Sequence, residues 1–228
     1  MITLLVATRN AHKVGEIRII LGDGFHCLTL EDYPAAPSVV EDAPTFAGNA
    51  VKKSISMSRW FSETQNLERA TQKLFVLADD SGLEVDALKG APGVHSARFA
   101  ALDAGLAGNS PTADNNAKLL RLLKSIPPEG RAARFRCVLA LTPVVTPQME
   151  SASPVCYADE FELQTQLFEG ACEGRIALAA SGQGGFGYDP LFVPDGFEKS
   201  FAELGEDIKN RLSHRAKALE QLKVALGC

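Results

Sequence analysis

Two adjacent carboxylates, Asp79 and Asp80, are the residues whose type and position point most directly to chemistry. They follow the apolar run 73–78, which predicts a buried strand, and precede Ser81 and Gly82, which favour a turn. In open α/β sheets ligands bind at the carboxyl ends of strands, and successive side chains point to opposite faces. We therefore interpret Asp80 as the reacting group and Asp79 as its support. The alternative is a solvated acidic turn.

A polar turn follows the apolar run 2–7 and consists of Thr8, Arg9, Asn10, Ala11, His12 and Lys13. Apolar residues then recur at helical spacing up to Gly22, so the pattern predicts strand, turn and helix, with Thr8 or Asn10 as the cap. Free N–H groups at the positive end of the helix dipole, together with Lys13, make an anion site, most naturally for phosphate. A plain capped connection without a ligand is the alternative.

A second helix is predicted from Thr45 to about Phe61, with Asn49 and Lys53 among its apolar residues. Glu41 lies just before this helix. A carboxylate at that position either stabilises the helix dipole or reaches a metal ion.

A literal G-x-G-x-x-G occurs at Gly182, Gly184 and Gly187, with Asp207 about 20 residues further on, as a dinucleotide-binding fingerprint requires. We interpret it as a decoy. The fingerprint needs a helix that opens at the third glycine, whereas residues 188–194 are bounded by proline and predicted to be extended.

Phe186 stands between glycines, which let a backbone approach a flat ligand, and its ring offers a stacking face for a base. The alternative is a β-bulge with Phe186 in the core. Further on, Ser213 is predicted to cap the last helix and to leave His214 and Arg215 in its first turn, beside Lys209. These donors either form a solvated face or bind a base edge and a phosphate tail.

The remaining elements predict an α/β fold with a mixed sheet. Thr112 is predicted to cap a helix that ends near Ile126. The alternating patterns at 135–141 and 161–167 predict two antiparallel strands joined by a long loop over 143–160. Residues 62–72 are polar and predict an exposed extension or loop. We see no dividing linker and expect one domain over 1–228.

Composition excludes several classes of function. The net charge of −5 opposes a duplex-binding surface, so nucleic acid is not an expected partner. The five cysteines are odd in number and form no C-x-x-C pair, which argues against a disulfide framework and a zinc site and favours a reducing cytoplasm. No apolar run reaches the roughly 18 residues of a membrane span, so we expect no membrane association.

Six segments together resemble the inosine/xanthosine triphosphate pyrophosphatase family: residues 7–13, 45–53, 78–83, 90–93, 185–190 and 213–215. The resemblance covers nearly the whole chain in the family's order. It implies an elongated α/β fold with a twisted mixed sheet, flanking helices and a substrate cleft between two lobes. It also implies a homodimer and Mg²⁺-dependent hydrolysis of purine nucleoside triphosphates to the monophosphate and pyrophosphate. ITP, dITP and XTP would be the preferred substrates.

The resemblance also assigns roles to residues. The polar turn would bind phosphates, together with Lys53 and Lys209. Glu41 and Asp80 would bind the metal, and Asp80 would also activate water. Substrate contacts would come from Ser81 and, around the base, from Phe186, Gly187, Tyr188, Asp189, His214 and Arg215.

The sequence departs from the family at two positions. Gly48 stands where a Glu is usual, which removes one acidic group near the metal, and Ala101 stands where a Gly is usual.

Arg215 offers a physical basis for selectivity. Its guanidinium has donors only, so it suits the oxygen acceptor of a 6-keto purine. Adenine would set its 6-amino donor against the guanidinium, and both donors would be left unsatisfied. Rejection of GTP must depend on position 2 of the base, for which no residue is identified. Two other functions stay open: an oxidoreductase using the glycines at 182–187, and a nucleotide-binding module without turnover.

Overall fold

Strands and helices alternate through most of the chain. The structure is a computed structural model that describes residues 1–64, 73–105, 108–144 and 164–228. Its strands are β1 Ile2–Val6, β2 Phe25–Thr29, β3 Leu74–Val85, β4 Ala132–Pro143, β5 Gln166–Ile176 and β6 Phe192–Pro194. Its α-helices are α1 Ala11–Leu21, α2 Phe46–Thr64, α3 Thr112–Leu122, α4 Phe201–Leu204, α5 Glu206–Leu212 and α6 His214–Leu226.

The described strands form a six-stranded sheet in the order β2-β1-β3-β4-β5-β6. β1 is parallel to both β2 and β3, whereas β5 and β6 are antiparallel to each other. The predicted α/β fold with a mixed sheet and flanking helices is therefore confirmed. No described helix is both long and apolar enough to cross a membrane.

The chain divides into two compact units. The first comprises Met1–Asp80, Val138–Phe168 and Gln221–Cys228, and the second comprises Ser81–Cys137 and Glu169–Glu220. Both units are built from separate segments of the chain, and the single domain predicted over 1–228 stays a prediction.

The core of the first unit lies around β1, β3 and α2. β1 is a nearly continuous apolar run in which residues 4–6 are fully buried, as a strand covered on both faces requires. Tyr33 contacts the rings of Trp60 and Phe61 edge-on at 6.2 and 5.1 Å between centroids. Tyr33 therefore holds the irregular segment before α2 against that helix, and the same segment carries Glu41.

The core of the second unit is rich in aromatic rings. The Phe135 ring lies 4.7 Å from Phe192 and 6.3 Å from Phe201, and Phe192 lies 5.3 Å from Phe201. The His214 ring stacks on the Phe135 ring at 4.9 Å. This contact fixes the first turn of α6 against the core.

The predicted end of the acid-bearing strand is wrong. Asp79 and Asp80 lie inside β3, and Ser81 and Gly82 continue the strand instead of forming a turn. Pairing with β1 ends at Val6 and Leu77, so both carboxylates lie beyond the end of β1. β3 continues because β4 pairs on its other side.

Several other boundaries differ from the predictions. α2 continues to Thr64, and Pro111, not Thr112, caps α3, which ends at Leu122. In β5 the predicted alternation is reversed, because Phe168 is buried while Leu167 is 43% exposed. Residues 65–72 and 145–163, which include most of the predicted loop over 143–160, lie outside the described residues.

Candidate active site

The polar turn connects β1 to α1 as predicted. Asn10 is the N-cap, since its Oδ1 accepts hydrogen bonds from the backbone N–H groups of His12 and Lys13 at 3.0 and 3.3 Å. Thr8 supports the cap, because its Oγ1 accepts from the Asn10 N–H at 3.2 Å. The turn is largely exposed, so the positive end of the α1 dipole faces solvent where an anion can reach it.

Two side chains of the polar turn contact other parts of the first unit. The Lys13 ammonium lies 2.5 Å from the Asp79 carboxylate, whose side chain is 1% exposed. Arg9 donates to the Ala36 carbonyl at 2.7 Å. Asp79 thus fixes a cation of the predicted phosphate site. The role predicted for it from the sequence, support of Asp80, stays a prediction.

Lys53 is the centre of an acid–lysine cluster made of Glu41, Lys53, Asp79 and Asp80. Its Nζ lies 3.1 Å from Glu41 Oε2 and 3.4 Å from Asp80 Oδ1, and it donates to the Asp79 carbonyl at 2.7 Å. Asn49, one helical turn before Lys53, donates to Asp80 Oδ2 at 3.1 Å. The Asn49 amide oxygen accepts from the Ala43 N–H at 2.9 Å, which orients the side chain.

Burial raises the pKa of Asp80 above its usual range, and Glu41 raises it further. The cations of Lys53 and Lys13 and the Asn49 hydrogen bond act in the opposite direction. A carboxylate whose pKa lies nearer neutrality is a better proton acceptor from water than an exposed one.

The donor set of the cluster fits a divalent ion of the magnesium type. Glu41 and Asp80 contact the same ammonium, so their oxygens surround one cation position. Mg²⁺ is commonly held by one or two carboxylates, with phosphates and waters completing its ligands. The part of the chain that the structure describes has no group of three or more His, Cys, Asp or Glu side chains that could hold a metal by itself.

The aromatic loop, residues 185–189, is held by Asp189 in the second unit. Asp189 Oδ2 accepts from the Phe186 N–H at 2.8 Å and lies 2.5 Å from the Lys209 ammonium. The same ammonium lies 4.3 Å from the centroid of the Phe186 ring. Phe186 is half-buried and outside the core cluster, so the core alternative is not what the structure shows.

The glycines of this segment have different tasks. A Cβ on Gly185, whose φ is +72°, would lie 2.2 Å from Asp189 Oδ2, so this glycine permits internal packing. A Cβ on Gly184 would lie 3.0 Å from the Ala202 carbonyl oxygen. A Cβ on Gly187 would have no atom within 4 Å outside its chain neighbours. No helix opens at Gly187, so the interpretation of the dinucleotide fingerprint as a decoy is confirmed.

Tyr188 and Gly187 are bound from within the second unit. The Tyr188 hydroxyl donates to the Ser96 carbonyl at 2.9 Å, and burial raises the pKa of this tyrosine. Asn116 on α3 donates to the Gly187 carbonyl at 3.2 Å. Sequence reasoning missed Asn116, because nothing local distinguishes it from other polar residues of an amphipathic helix.

Arg215 is a buried cation at the start of α6. Ser213 Oγ accepts from the Ala216 N–H at 3.2 Å, which confirms the predicted cap. Arg215 is 1% exposed and donates to Ser81 Oγ at 2.9 Å. His214 is 4% exposed. The alternative of a solvated face is therefore wrong for these two residues.

The predicted residues fall into two groups. The first unit contains the polar turn, Glu41, Lys53 and Asp80, and the second contains Ser81, Phe186, Gly187, Tyr188, Asp189, Lys209, His214 and Arg215. Lys209 was predicted to join the phosphate-binding cations but lies beside the aromatic loop.

Comparisons with a family model, with curated proteins and with solved structures all give Ham1 proteins or dITP/XTP pyrophosphatases. Residues 4–225 match the model of the Ham1 family. The dITP/XTP pyrophosphatases of Desulforamulus reducens and Geobacillus kaustophilus are 42% and 43% identical to the chain, over 96% of it and 92% and 91% of theirs. The solved Staphylococcus aureus Ham1 protein is 31% identical with a TM-score of 0.74, covering 99% of this chain and 98% of its own. The Mycobacterium abscessus nucleoside-triphosphatase, also described as a dITP/XTP pyrophosphatase, is 35% identical with a TM-score of 0.67, over 97% of this chain and 98% of that one.

Proposed function

Because the chain belongs to the Ham1 family, we propose that it hydrolyses non-standard purine nucleoside triphosphates to the monophosphate and pyrophosphate. Its substrates are ITP, dITP and XTP, so it removes deaminated purines from the nucleotide pool. The observation that carries the proposal is the buried Asp80 carboxylate, held between Asn49 and Lys53. The family match agrees with the family resemblance predicted from the sequence.

The polar turn and Lys53 bind the triphosphate. Attack on the α-phosphorus builds negative charge on the transferring group, and fixed cations and helix N–H groups stabilise that charge. Lys13 is held by Asp79, so its ammonium group is positioned before the substrate arrives. Little reorganisation of the Lys13 side chain is then needed during the reaction. Lys53 is held in the acid–lysine cluster until the substrate arrives.

Asp80 accepts the proton of the attacking water. Its raised pKa suits this task, and Asn49 fixes the orientation of the carboxylate. Glu41 and Asp80 would hold Mg²⁺, which would neutralise phosphate charge and make water more acidic.

The second unit supplies the residues that bind the base. Phe186 stacks on the purine, while Arg215 donates to its 6-oxygen. Ser81, held by Arg215, contacts the substrate, and Tyr188 and His214 form the wall of the base site. The ion pair between Lys209 and Asp189 supports a role for both in ordering the aromatic loop.

We further propose that the protein acts as a homodimer in the cytoplasm, without nucleic acid or membrane partners. The net charge of −5 supports the absence of nucleic acid partners, because it disfavours a duplex-binding surface.

The proposal is tested by the products formed from ITP and XTP in the presence of Mg²⁺. We expect IMP or XMP and one pyrophosphate per nucleotide, resolved by ion-exchange chromatography. Release of IDP and inorganic phosphate would contradict the assigned bond. Binding of ITP without turnover would support the nucleotide-binding module, and saturable NADPH binding would support the oxidoreductase.

A further inference from the structure

We propose that in the nucleotide-free protein the Lys53 ammonium occupies the position of the divalent ion. The metal ion and the triphosphate therefore bind together and not independently of each other. The inference deepens the proposed function and rests on its assignment of Glu41 and Asp80 as metal ligands. It concerns how the metal enters the site, which the overall reaction leaves open.

The first support is the surroundings of the Lys53 ammonium. Its three nearest oxygen partners are Glu41 Oε2 at 3.1 Å, Asp80 Oδ1 at 3.4 Å and the Asp79 carbonyl at 2.7 Å. An ammonium group has three donors, which this arrangement satisfies. Carboxylate and carbonyl oxygens are also the ligands that hard divalent cations take. The lysine thus uses the oxygens that the metal needs.

The second support is burial. The Lys53 side chain is 11% exposed and that of Asp80 is 9% exposed, whereas that of Glu41 is 40% exposed. Buried charges are stable only when they are paired, so Lys53 and Asp80 hold one another in place. A divalent ion that approached the Asp80 carboxylate would meet the Lys53 charge at short range, where little water screens it.

A triphosphate removes this obstacle. Its phosphates offer Lys53 another partner of opposite charge, and they also complete the ligands of the metal. The ammonium can then turn from the carboxylates to the phosphates while the divalent ion takes its place. By linkage, the factor by which nucleotide tightens metal binding equals the factor by which metal tightens nucleotide binding.

Neighbouring residues on α2 provide a matched control. Lys52 precedes Lys53 and is also paired with an acid, Asp42, at 2.5 Å. The Lys52 side chain is 44% exposed and that of Asp42 is 65% exposed, so this pair lies in solvent. Removal of the Lys52 charge changes the net charge equally without touching the acid–lysine cluster.

The test measures binding of Mn²⁺, used as the probe ion, by electron paramagnetic resonance at pH 8, where protons compete least for the carboxylates. Wild type, Lys53→Met and Lys52→Met are titrated without nucleotide and with α,β-methylene-ITP. We expect weak Mn²⁺ binding to free wild type, and binding roughly tenfold tighter or more to free Lys53→Met. Lys52→Met should match wild type. The analogue should strengthen Mn²⁺ binding strongly in wild type and much less in Lys53→Met.

Two results would overturn the inference. In the first, the nucleotide-free Lys53→Met variant is folded by circular dichroism but binds Mn²⁺ no tighter than wild type. That result shows that the lysine does not compete with the ion. Free wild type that binds Mn²⁺ as tightly as the analogue complex shows the same without any variant. If wild type still releases pyrophosphate from ITP, these results refute only the role of Lys53. Absence of Mn²⁺ binding under both conditions refutes the metal ligands as well.

Discussion

Asp79 and Asp80 are neighbours in the chain with separate partners. Lys13 pairs with the carboxylate of Asp79, while Lys53 and Asn49 contact that of Asp80. Alternation along β3 points successive side chains to opposite faces, which explains the separation. The sequence could predict this division of roles from the period of a strand. It could not predict the partners, because they come from helices distant in the chain.

The first prediction concerns Asp80. Asp80→Asn should lower kcat for ITP by about 10²-fold or more, because the amide neither accepts the proton of water nor provides a charged metal ligand. Affinity for α,β-methylene-ITP should change much less. Steady-state kinetics and calorimetry measure the two effects, with exposed Asp42→Asn as the control. Turnover near that of wild type would remove Asp80 from the mechanism.

The second prediction separates stacking from base-edge recognition. Arg215→Ala should narrow the ratio of kcat/KM for ITP over ATP, chiefly by lowering the ITP value, because a donor-only group distinguishes keto from amino. Phe186→Ala should lower both values together, since every purine offers a π-face worth about 1–3 kcal/mol. Kinetics of both variants on both nucleotides measure this. An unchanged ratio in Arg215→Ala would assign discrimination to another residue, with Asp189 and His214 as the next candidates.

At the scale of elements, the N-terminus of α1 carries the third prediction. Lys13→Ala should weaken binding of α,β-methylene-ITP much more than binding of inosine, because only the nucleotide has phosphates for this site. Arg18→Ala on the same helix is the control, since Arg18 lies a turn or more from the polar turn and is exposed. Calorimetry gives both affinities. Equal losses for the two ligands would place the phosphates elsewhere.

The fourth prediction concerns the aromatic loop. Asp189→Ala leaves the Lys209 ammonium buried without its carboxylate and the Phe186 N–H without its acceptor, so it should destabilise the fold by about 3–5 kcal/mol. Asp42→Ala breaks a pair in solvent and should leave the free energy of unfolding almost unchanged. Urea unfolding measures both. Similar stability of the two variants would mean that the buried pair does not hold the loop.

Elements with local signals were predicted well from the sequence, and those that depend on distant contacts were not. The cap of α1 by Asn10 and that of α6 by Ser213 follow from short polar segments before an apolar repeat. The length of β3 depends on pairing with β4, which no local pattern encodes. Gly185 resembled a ligand-binding glycine, but its lack of a side chain serves the approach of Asp189.

At the scale of the whole molecule, the candidate site residues follow the division into two units. The residues proposed to bind phosphate and metal belong to the first unit, and those proposed to bind the base belong to the second. β3 contributes to both, because the division falls between Asp80 and Ser81. Family resemblance predicted this set of residues, whereas their hydrogen-bond partners, such as Asn116, required the structure.

The most direct measurement is the specificity constant of the wild-type protein for ITP, XTP, ATP and GTP under identical conditions with Mg²⁺. We expect kcat/KM for ITP and XTP to exceed that for ATP by about tenfold or more, because an amino group facing Arg215 leaves buried donors unsatisfied at about 1–3 kcal/mol. GTP should also be a poor substrate, because an enzyme that removes deaminated purines from the nucleotide pool must spare GTP. Equal specificity constants for the four nucleotides, or a preference for ATP, would contradict the proposed function.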